Sequence, residues 1–171
     1  MGARPGSGAA MKREKSGGTV GYRLHVMARN PGELAANAGG LIVDRTMSGW
    51  RVSVQLSQAG DVRPVQILGA ELVDAVQSSG LPDEEQCILV MGPEAYAKVI
   101  SDDELPAGCA EILVWGETPD PAHLFGHNLS AAALAFKTLA VTAACISADE
   151  VSAAEAFTSM NAKDSGVTLR A

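Results

Sequence analysis

Aromatic residues are scarce in this sequence, making up 4% of its 171 residues. A hydrophobic core must therefore be built mainly from Leu, Val, Ile, Ala and Met, with few large side chains to anchor it. Hydrophobic residues still account for 47% of the chain and charged residues for 19%. These proportions and this length are typical of one globular domain with a single core.

Cysteines are also few, and their spacing suits neither a disulfide framework nor a metal site. Cys87, Cys109 and Cys145 are an odd number, are widely separated and include no CxxC pair. We expect Cys87 and Cys145, which lie in apolar runs, to be buried, and Cys109, which follows a Pro-Ala-Gly turn, to be exposed. Free thiols fit a reducing compartment, so we expect a cytoplasmic location.

The sequence has no long uninterrupted hydrophobic run. Its longest apolar stretch, residues 129–146, has Lys137 at its centre, and residues 1–18 contain charges and glycines in place of the apolar segment of a signal peptide. We therefore expect a soluble protein with no membrane partner.

Basic charge is concentrated in the first 18 residues, where Arg4, Lys12, Arg13 and Lys15 accompany Glu14. Because the whole chain carries a formal net charge of -7, the remainder is strongly acidic. It has no basic stripe with interleaved aromatic residues to bind a phosphate backbone, which argues against a nucleic-acid partner.

Three segments differ in composition. Residues 1–18 are rich in Gly, Ala, Ser and basic residues, which predicts a disordered basic leader, and Met11 is an alternative start. Residues 19–160 carry the hydrophobic patterning and are predicted to form a single α/β domain. Residues 161–171 are expected to be a frayed tail.

Two kinds of strand-like run predict the fold. Residues 87–91 and 112–115 are continuously apolar, which is typical of central parallel strands covered on both faces. Residues 22–27, 51–56 and 65–67 alternate, and the last two runs are predicted to form a hairpin. We therefore expect a single three-layer α/β domain with a mixed, mostly parallel five-stranded sheet, in which two central strands are parallel and one half is a hairpin.

Helices are predicted between these strands. Asn30 and Pro31 indicate the start of a helix over 31–48, with Asp44 on its exposed side. The Gly39-Gly40 pair allows an alternative in which the helix ends early and residues 41–44 form a strand, and we favour the continuous helix. Further helices are expected over 71–79 and 93–100, from Pro121 to about 146, and near 152–160. In the Ala-rich helix, Phe136 and Leu139 belong to the expected packing stripe and Lys137 to the solvated face.

The first candidate site is the loop after the first strand, because open α/β sheets bind ligands at the carboxyl ends of their strands. Arg29 and the helix start at Asn30 and Glu33 can hold an anion or a nucleotide. The loop contains no GxGxxG or GxxxxGK[ST] motif, and structural capping by Asn30 and Glu33 is the alternative.

The second candidate site follows the last central strand, where Glu117, Asp120, His123 and His127 lie within eleven residues. On an unbroken helix from Pro121, the two histidines would be one turn apart and could bind a metal or act with a carboxylate in acid/base chemistry. The pattern lacks the glutamate of HExxH, and helix capping with surface imidazoles is the alternative. No GxSxG serine is present.

The alternating strands place polar residues on one face of the sheet: Arg23, His25, Arg51, Ser53 and Gln55. This face is predicted to stand in water or to meet a protein partner, which includes a second copy of the chain. The main functional hypothesis is a binding or regulatory module for a small molecule or protein, and no cofactor is identified. The alternatives are a metal-assisted hydrolase that uses residues 117–127, and an anion-binding domain at residues 29–33. The sequence does not decide whether the chain is an enzyme.

Overall fold

The computed structural model describes residues 21–74, 86–102, 109–116 and 123–161. The elements, in chain order, are β1 (Tyr22–Ala28), α1 (Pro31–Met47), β2 (Arg51–Leu56), α2 (Arg63–Leu68), β3 (Glu71–Leu72), β4 (Gln86–Met91), α3 (Pro93–Asp102), β5 (Cys109–Trp115), β6 (Leu124–Asn128), α4 (Ala131–Ala143), a 3-10 turn (Ala148–Glu150) and β7 (Ala154–Asn161).

The strands form one mixed sheet in the order β3-β2-β1-β4-β5-β7-β6. The pairs from β3 to β5 are parallel, whereas β7 runs antiparallel to both β5 and β6. The α/β class and the parallel pairing of the two continuously apolar strands, β4 and β5, are confirmed. The prediction of five strands is wrong, because the described residues contribute seven.

The predicted hairpin is also wrong. Residues 63–68 form the short helix α2, in which Val65 and Leu68 are buried three positions apart. Asp61 accepts the backbone N–H of Arg63 at 3.0 Å, and Pro64 suits a first helical turn. On the side away from β1, β2 pairs instead with β3, which occupies the first two residues of the helix predicted over 71–79. Residues 75–85 lie outside the described part of the chain.

The C-terminal third differs most from the sequence expectation. The helix predicted from Pro121 begins at Ala131, and residues 124–128 form the edge strand β6. The helix predicted near 152–160 is strand β7, which is inserted between β5 and β6. In β7, Glu155 and Phe157 are buried while Ala154 and Ala156 are exposed. Pairing on both sides of β7 outweighs the helical preference of its alanines.

Helices cover the two faces of the sheet unequally. Residues of α1, α2 and α4 share one core cluster with Leu24, Val54 and Val90 of the sheet. On the other face, Val99 of α3 packs in a second cluster with residues of β4 and β5. The predicted three-layer arrangement is therefore present, with α1 and α3 on opposite sides of the sheet.

Helix α1 is continuous through Gly39 and Gly40, as the favoured interpretation predicts. Both glycines lie where an added side chain would crowd a neighbouring side chain. A Cβ added at Gly39 would lie 3.3 Å from Lys137 Cγ, and one at Gly40 would lie 2.2 Å from Leu129 Cγ. The alternative strand at residues 41–44 is wrong because close packing against α4 and the chain before it offsets the low helix propensity of glycine.

A buried ion pair joins α4 to the sheet. Lys137, expected on the solvated face, is 1% exposed, and its Nζ lies 2.7 Å from Glu155 Oε1. Glu155 also accepts the backbone N–H groups of Gly40 and Leu41, each at 2.8 Å. Because Lys137 points inward, the expected packing stripe is wrong at Phe136 and Leu139, which are 42% and 57% exposed.

Two of the three cysteine expectations are wrong. Cys109 is buried beside Cys87, its register partner on β4. The hydrogen bond with Cys87 and, next, burial raise the pKa of the Cys109 thiol. Cys145 is exposed and has a left-handed backbone with φ of 63°. Cys87 is buried, as expected.

Within the described residues, no helix is both long and apolar enough to cross a membrane.

We predict that Gly40→Ala lowers the free energy of unfolding by about 2 to 3 kcal/mol, because the new methyl group overlaps the side chain of Leu129. Urea denaturation followed by circular dichroism measures this. Gly126→Ala is the matched control, since a Cβ there meets nothing within 4 Å. Equal stability of the two variants would contradict the close approach at Gly40.

Candidate functional site

The strand order reverses between β1 and β4. From β1 the chain passes through α1 to β2 on one side, and from β4 it passes through α3 to β5 on the other. Because α1 and α3 lie on opposite faces, their first turns open a crevice at the carboxyl ends of β1 and β4. In open α/β sheets this is the usual position of a ligand.

Arg29 lies at this crevice, directly after β1. Its Nη2 is 3.3 Å from Glu33 Oε2 on α1, and its Nη1 is 3.5 Å from Glu94 Oε2 on α3. The side chains of Arg29 and Glu94 are 46% and 70% exposed, whereas that of Glu33 is 17% exposed. The guanidinium group therefore bridges the two helices that flank the crevice.

Asn30 and Glu33 both cap backbone N–H groups at the start of α1. Asn30 Oδ1 accepts the N–H of Glu33, and Glu33 Oε1 accepts the N–H of Arg29, both at 2.9 Å. This is the structural capping that the sequence offers as an alternative. Both side chains have a structural role, and Arg29 is the exposed member of the three sequence-predicted residues in this loop.

The electrostatics of the crevice come from two helix N-termini and three charged side chains. Helices α1 and α3 both begin here with proline, and each carries a glutamate in its first turn. The positive ends of the helix dipoles are thus partly neutralised by Glu33 and Glu94. Of these two carboxylates, Glu94 is free to swing away because it is exposed and makes a long contact with Arg29.

The second candidate group is not assembled as a helical cluster. Glu117 and Asp120 lie outside the described residues. His123 is exposed just before β6, and His127 is within β6, so the prediction of two histidines one helical turn apart is wrong. Among the residues that the structure describes, no three His, Cys, Asp or Glu side chains are grouped so as to hold a metal ion.

His127 contacts a residue that the sequence places on an exposed helix face, Asp44 of α1. His127 Nε2 lies 2.9 Å from Asp44 Oδ2, and the hydroxyl and backbone N–H of Ser130 donate to the same carboxylate. Burial would raise the pKa of Asp44, but the hydrogen bonds from Ser130 and His127 outweigh it and lower that pKa. This cluster fastens β6 and the start of α4 to α1.

Sequence reasoning missed the role of Asp44 because its partners lie more than 80 positions away. The helical period of α1 places Asp44 opposite the apolar side. No short-range pattern shows that β6 and the start of α4 cover Asp44. The same limit applies to Ser130, whose side chain also accepts the N–H of Ala133 as the N-cap of α4.

The polar face of β1 and β2 is less open than the sequence suggests. Arg51 is exposed, Arg23, Ser53 and Gln55 are half-buried, and His25 is 2% exposed. His25 Nδ1 lies 2.7 Å from Ser53 Oγ, and its Nε2 lies 3.4 Å from Gln55 Oε1. Burial lowers the pKa of His25 to about 4; the Gln55 contact opposes this shift and the charge of Arg23 adds to it. A protein partner on this face stays a prediction.

We predict that His25 makes the protein less stable in mild acid. Because its pKa is about 4 in the folded state and 6.5 in the unfolded state, the unfolded chain binds more protons between these pH values, and stability falls as pH falls. The full loss is about 3 kcal/mol by pH 4. In urea titrations, His25→Gln should flatten this part of the pH profile, and the exposed control Gln58→Ala, which removes no ionisable group, should not. A profile unchanged in His25→Gln would contradict a neutral buried imidazole.

Comparison with known proteins shows a fold and no family. No family model matches the sequence, and no curated protein matches it. Among solved structures, the chain is similar to the crystal structure of a deacetylase–teicoplanin complex from the biosynthesis pathway of teicoplanin, with a TM-score of 0.53 and 9% sequence identity. The match covers 83% of this chain and 99% of that chain. At this identity the similarity shows the fold alone.

Proposed function

We propose that this chain is a binding module for a small anionic molecule, which enters the crevice between the carboxyl ends of β1 and β4 and pairs with Arg29. The observation that carries this proposal is the contact of Arg29 with Glu94 across the crevice, at the position where the strand order reverses. The proposal combines two hypotheses from the sequence: a module that binds a small molecule, and an anion-binding site at residues 29–33.

The Arg29–Glu94 contact supports the proposal because an anion can replace it at little cost. The distance of 3.5 Å is long for a charge-assisted hydrogen bond, and both side chains are substantially exposed. Ion pairs of this kind contribute about 0 to 1 kcal/mol. A ligand carboxylate or phosphate can take two N–H groups of the guanidinium in bidentate geometry, which Glu94 does not do here.

Glu33 has a different role in the proposed site. Its carboxylate accepts the backbone N–H of Arg29 and also lies beside the Arg29 guanidinium. The Glu33 side chain therefore contacts both the backbone and the charged group of Arg29. This reduces the conformational entropy that Arg29 loses when a ligand binds. Glu33 is therefore a positioning residue, and Glu94 is the group that the ligand displaces.

We predict opposite effects for the two partners across the crevice. Arg29→Gln should weaken the binding of the anion at least about tenfold, because it removes the charged donor. Glu94→Gln should strengthen binding by up to about fivefold, because it removes a competing carboxylate. Isothermal calorimetry with phosphate, pyrophosphate, acetate and citrate as probes measures both changes.

Arg63→Gln is the matched control for this experiment. Arg63 is also an exposed arginine paired with a carboxylate, that of Asp61, but it lies on α2, which is not one of the two helices that Arg29 bridges. Its substitution should leave probe binding unchanged. Equal loss in Arg29→Gln and Arg63→Gln would mean non-specific charge attraction, and weaker binding in Glu94→Gln would contradict the displacement of Glu94.

Hydrolysis is a second candidate function, supported by the similar structure, which is described as a deacetylase. In this chain the hypothesis uses Glu117, Asp120 and His123, since His127 is bound to Asp44. His123 is exposed at the end of the segment that contains the two carboxylates. Carboxylates and an imidazole are the residue types that bind a metal ion or move a proton in hydrolysis.

We predict that, if the chain is a hydrolase, it releases acetate from N-acetylated or O-acetylated probes, with or without added Zn²⁺. His123→Ala should then abolish release while leaving phosphate binding at Arg29 intact. Acetate detected by nuclear magnetic resonance is the readout, and Arg63→Gln is the folded control. No release above the protein-free background would contradict the hydrolase hypothesis, and equal release in wild type and His123→Ala would contradict the role of His123. Neither outcome affects the binding module.

A further inference from the structure

We infer that the crevice binds the phosphoryl group of a phosphate monoester, held by Arg29, by the first N–H groups of helix α3 and by the indole N–H of Trp115. The inference rests on the proposed function, which places a small anion at Arg29, and it names the charged group of that ligand. It depends on how α3 begins, on where the Trp115 indole lies, and on how many donors the two add to Arg29.

Helix α3 begins with a glycine at the position of the N-cap. Its first helical hydrogen bond runs from Tyr96 N to Gly92 O at 2.9 Å, so the N–H groups of Glu94 and Ala95 have no acceptor within the helix. Gly92 has no side chain to accept them, whereas side chains accept such N–H groups at the starts of α1 and α4. The start of α3 therefore offers two backbone donors at the positive end of a ten-residue helix.

The Trp115 indole lies against this helix start. A Cβ added at Gly92 would be 3.1 Å from Nε1, Cε2 and Cζ2 of Trp115, so the edge of the indole that carries the N–H group lies where β4 ends and α3 begins. Trp115 is 4% exposed, and its Nε1 makes no hydrogen bond within the part of the chain that the structure describes. This atom is not among the fully enclosed unpartnered atoms of that part, so it keeps contact with solvent. An acceptor that enters the crevice can therefore reach it.

These donors lie on the same side of the crevice as the Arg29 guanidinium can reach. Gly92 N donates to Met27 O at 3.4 Å, which keeps the end of β4 beside the end of β1, where Arg29 lies. Arg29 Nη1 is 3.5 Å from Glu94 Oε2, so the guanidinium is within one glutamate side chain of the start of α3. The same contact turns the Glu94 carboxylate toward Arg29 and leaves the N–H groups of α3 to a ligand.

The number of donors and their directions favour a phosphoryl group over a carboxylate. A carboxylate has two oxygens in one plane, and the guanidinium of Arg29 can satisfy both in bidentate geometry. A phosphate monoester has three terminal oxygens, which point in different directions. One oxygen can accept from Arg29 on the β1 side, while the others accept from the start of α3 and from Trp115 on the β5 side.

Nuclear magnetic resonance of the isotopically labelled wild-type chain tests the inference, with methyl phosphate and acetate as probes. The chain has two tryptophans, Trp50 and Trp115, and a Trp50→Phe sample assigns their two indole N–H signals. Methyl phosphate should move the Trp115 indole signal and the amide signals of Glu94 and Ala95 downfield. The Trp50 signal should not move, because Trp50 stacks on Tyr22 at the amino ends of β1 and β2. Acetate should leave the Trp115 signal in place.

Calorimetry of Trp115→Phe provides an independent measurement. This variant keeps an aromatic ring in the core and removes the N–H group, so binding of methyl phosphate should weaken at least about tenfold, while binding of acetate should not change. Trp50→Phe is the matched control and should change neither. Equal weakening for both probes in Trp115→Phe would overturn the inference, because Trp115 would then act through the fold alone.

The outcomes separate this inference from the proposed function. Methyl phosphate that binds, loses affinity in Arg29→Gln and leaves the signals of Trp115, Glu94 and Ala95 in place overturns the phosphoryl site and leaves the anion-binding module intact. A chain that binds acetate at Arg29 and no methyl phosphate has the same meaning. Absence of binding by every probe overturns both.

Discussion

The contact on which the rest of the structure depends is that of Glu155 with Lys137 and α1. A carboxylate on β7 takes the ammonium group of α4 and two successive backbone N–H groups in the middle of α1. One side chain thus connects the sheet, the inner helix and the outer helix. Because both charged groups are almost fully buried, neither can lose the other without leaving an uncompensated charge in the interior.

This contact explains several features that are otherwise unrelated. It rotates α4 so that Lys137 faces inward and Phe136 and Leu139 face outward. It needs α1 to approach closely, which the absence of side chains at Gly39 and Gly40 allows. It also fixes the register of β7, since a shift by one residue would point Glu155 to the opposite face of the sheet.

The part of the fold that the sequence predicts is the part that local patterns encode. The runs at 87–91 and 112–115 identify the parallel central strands, and Asn30, Pro31 and Glu33 identify the start of α1, because strand burial and helix capping involve near neighbours. Strands β6 and β7 are not predicted, because their pairing joins residues far apart in the chain. In β7, the alanines also favour a helix locally. Arg29 is identified at the carboxyl edge of the sheet, but its partner Glu94 is not, since only the topology brings β1 and β4 together.

Within the described residues, both edge strands of the sheet are short. Strand β3 has two residues, and β6 has five, among which Gly126 has no side chain and His127 is turned toward α1. A short edge offers few unpaired backbone groups to an incoming strand, so the chain is poorly suited to assemble by extending its sheet or to seed amyloid-like stacking from these edges.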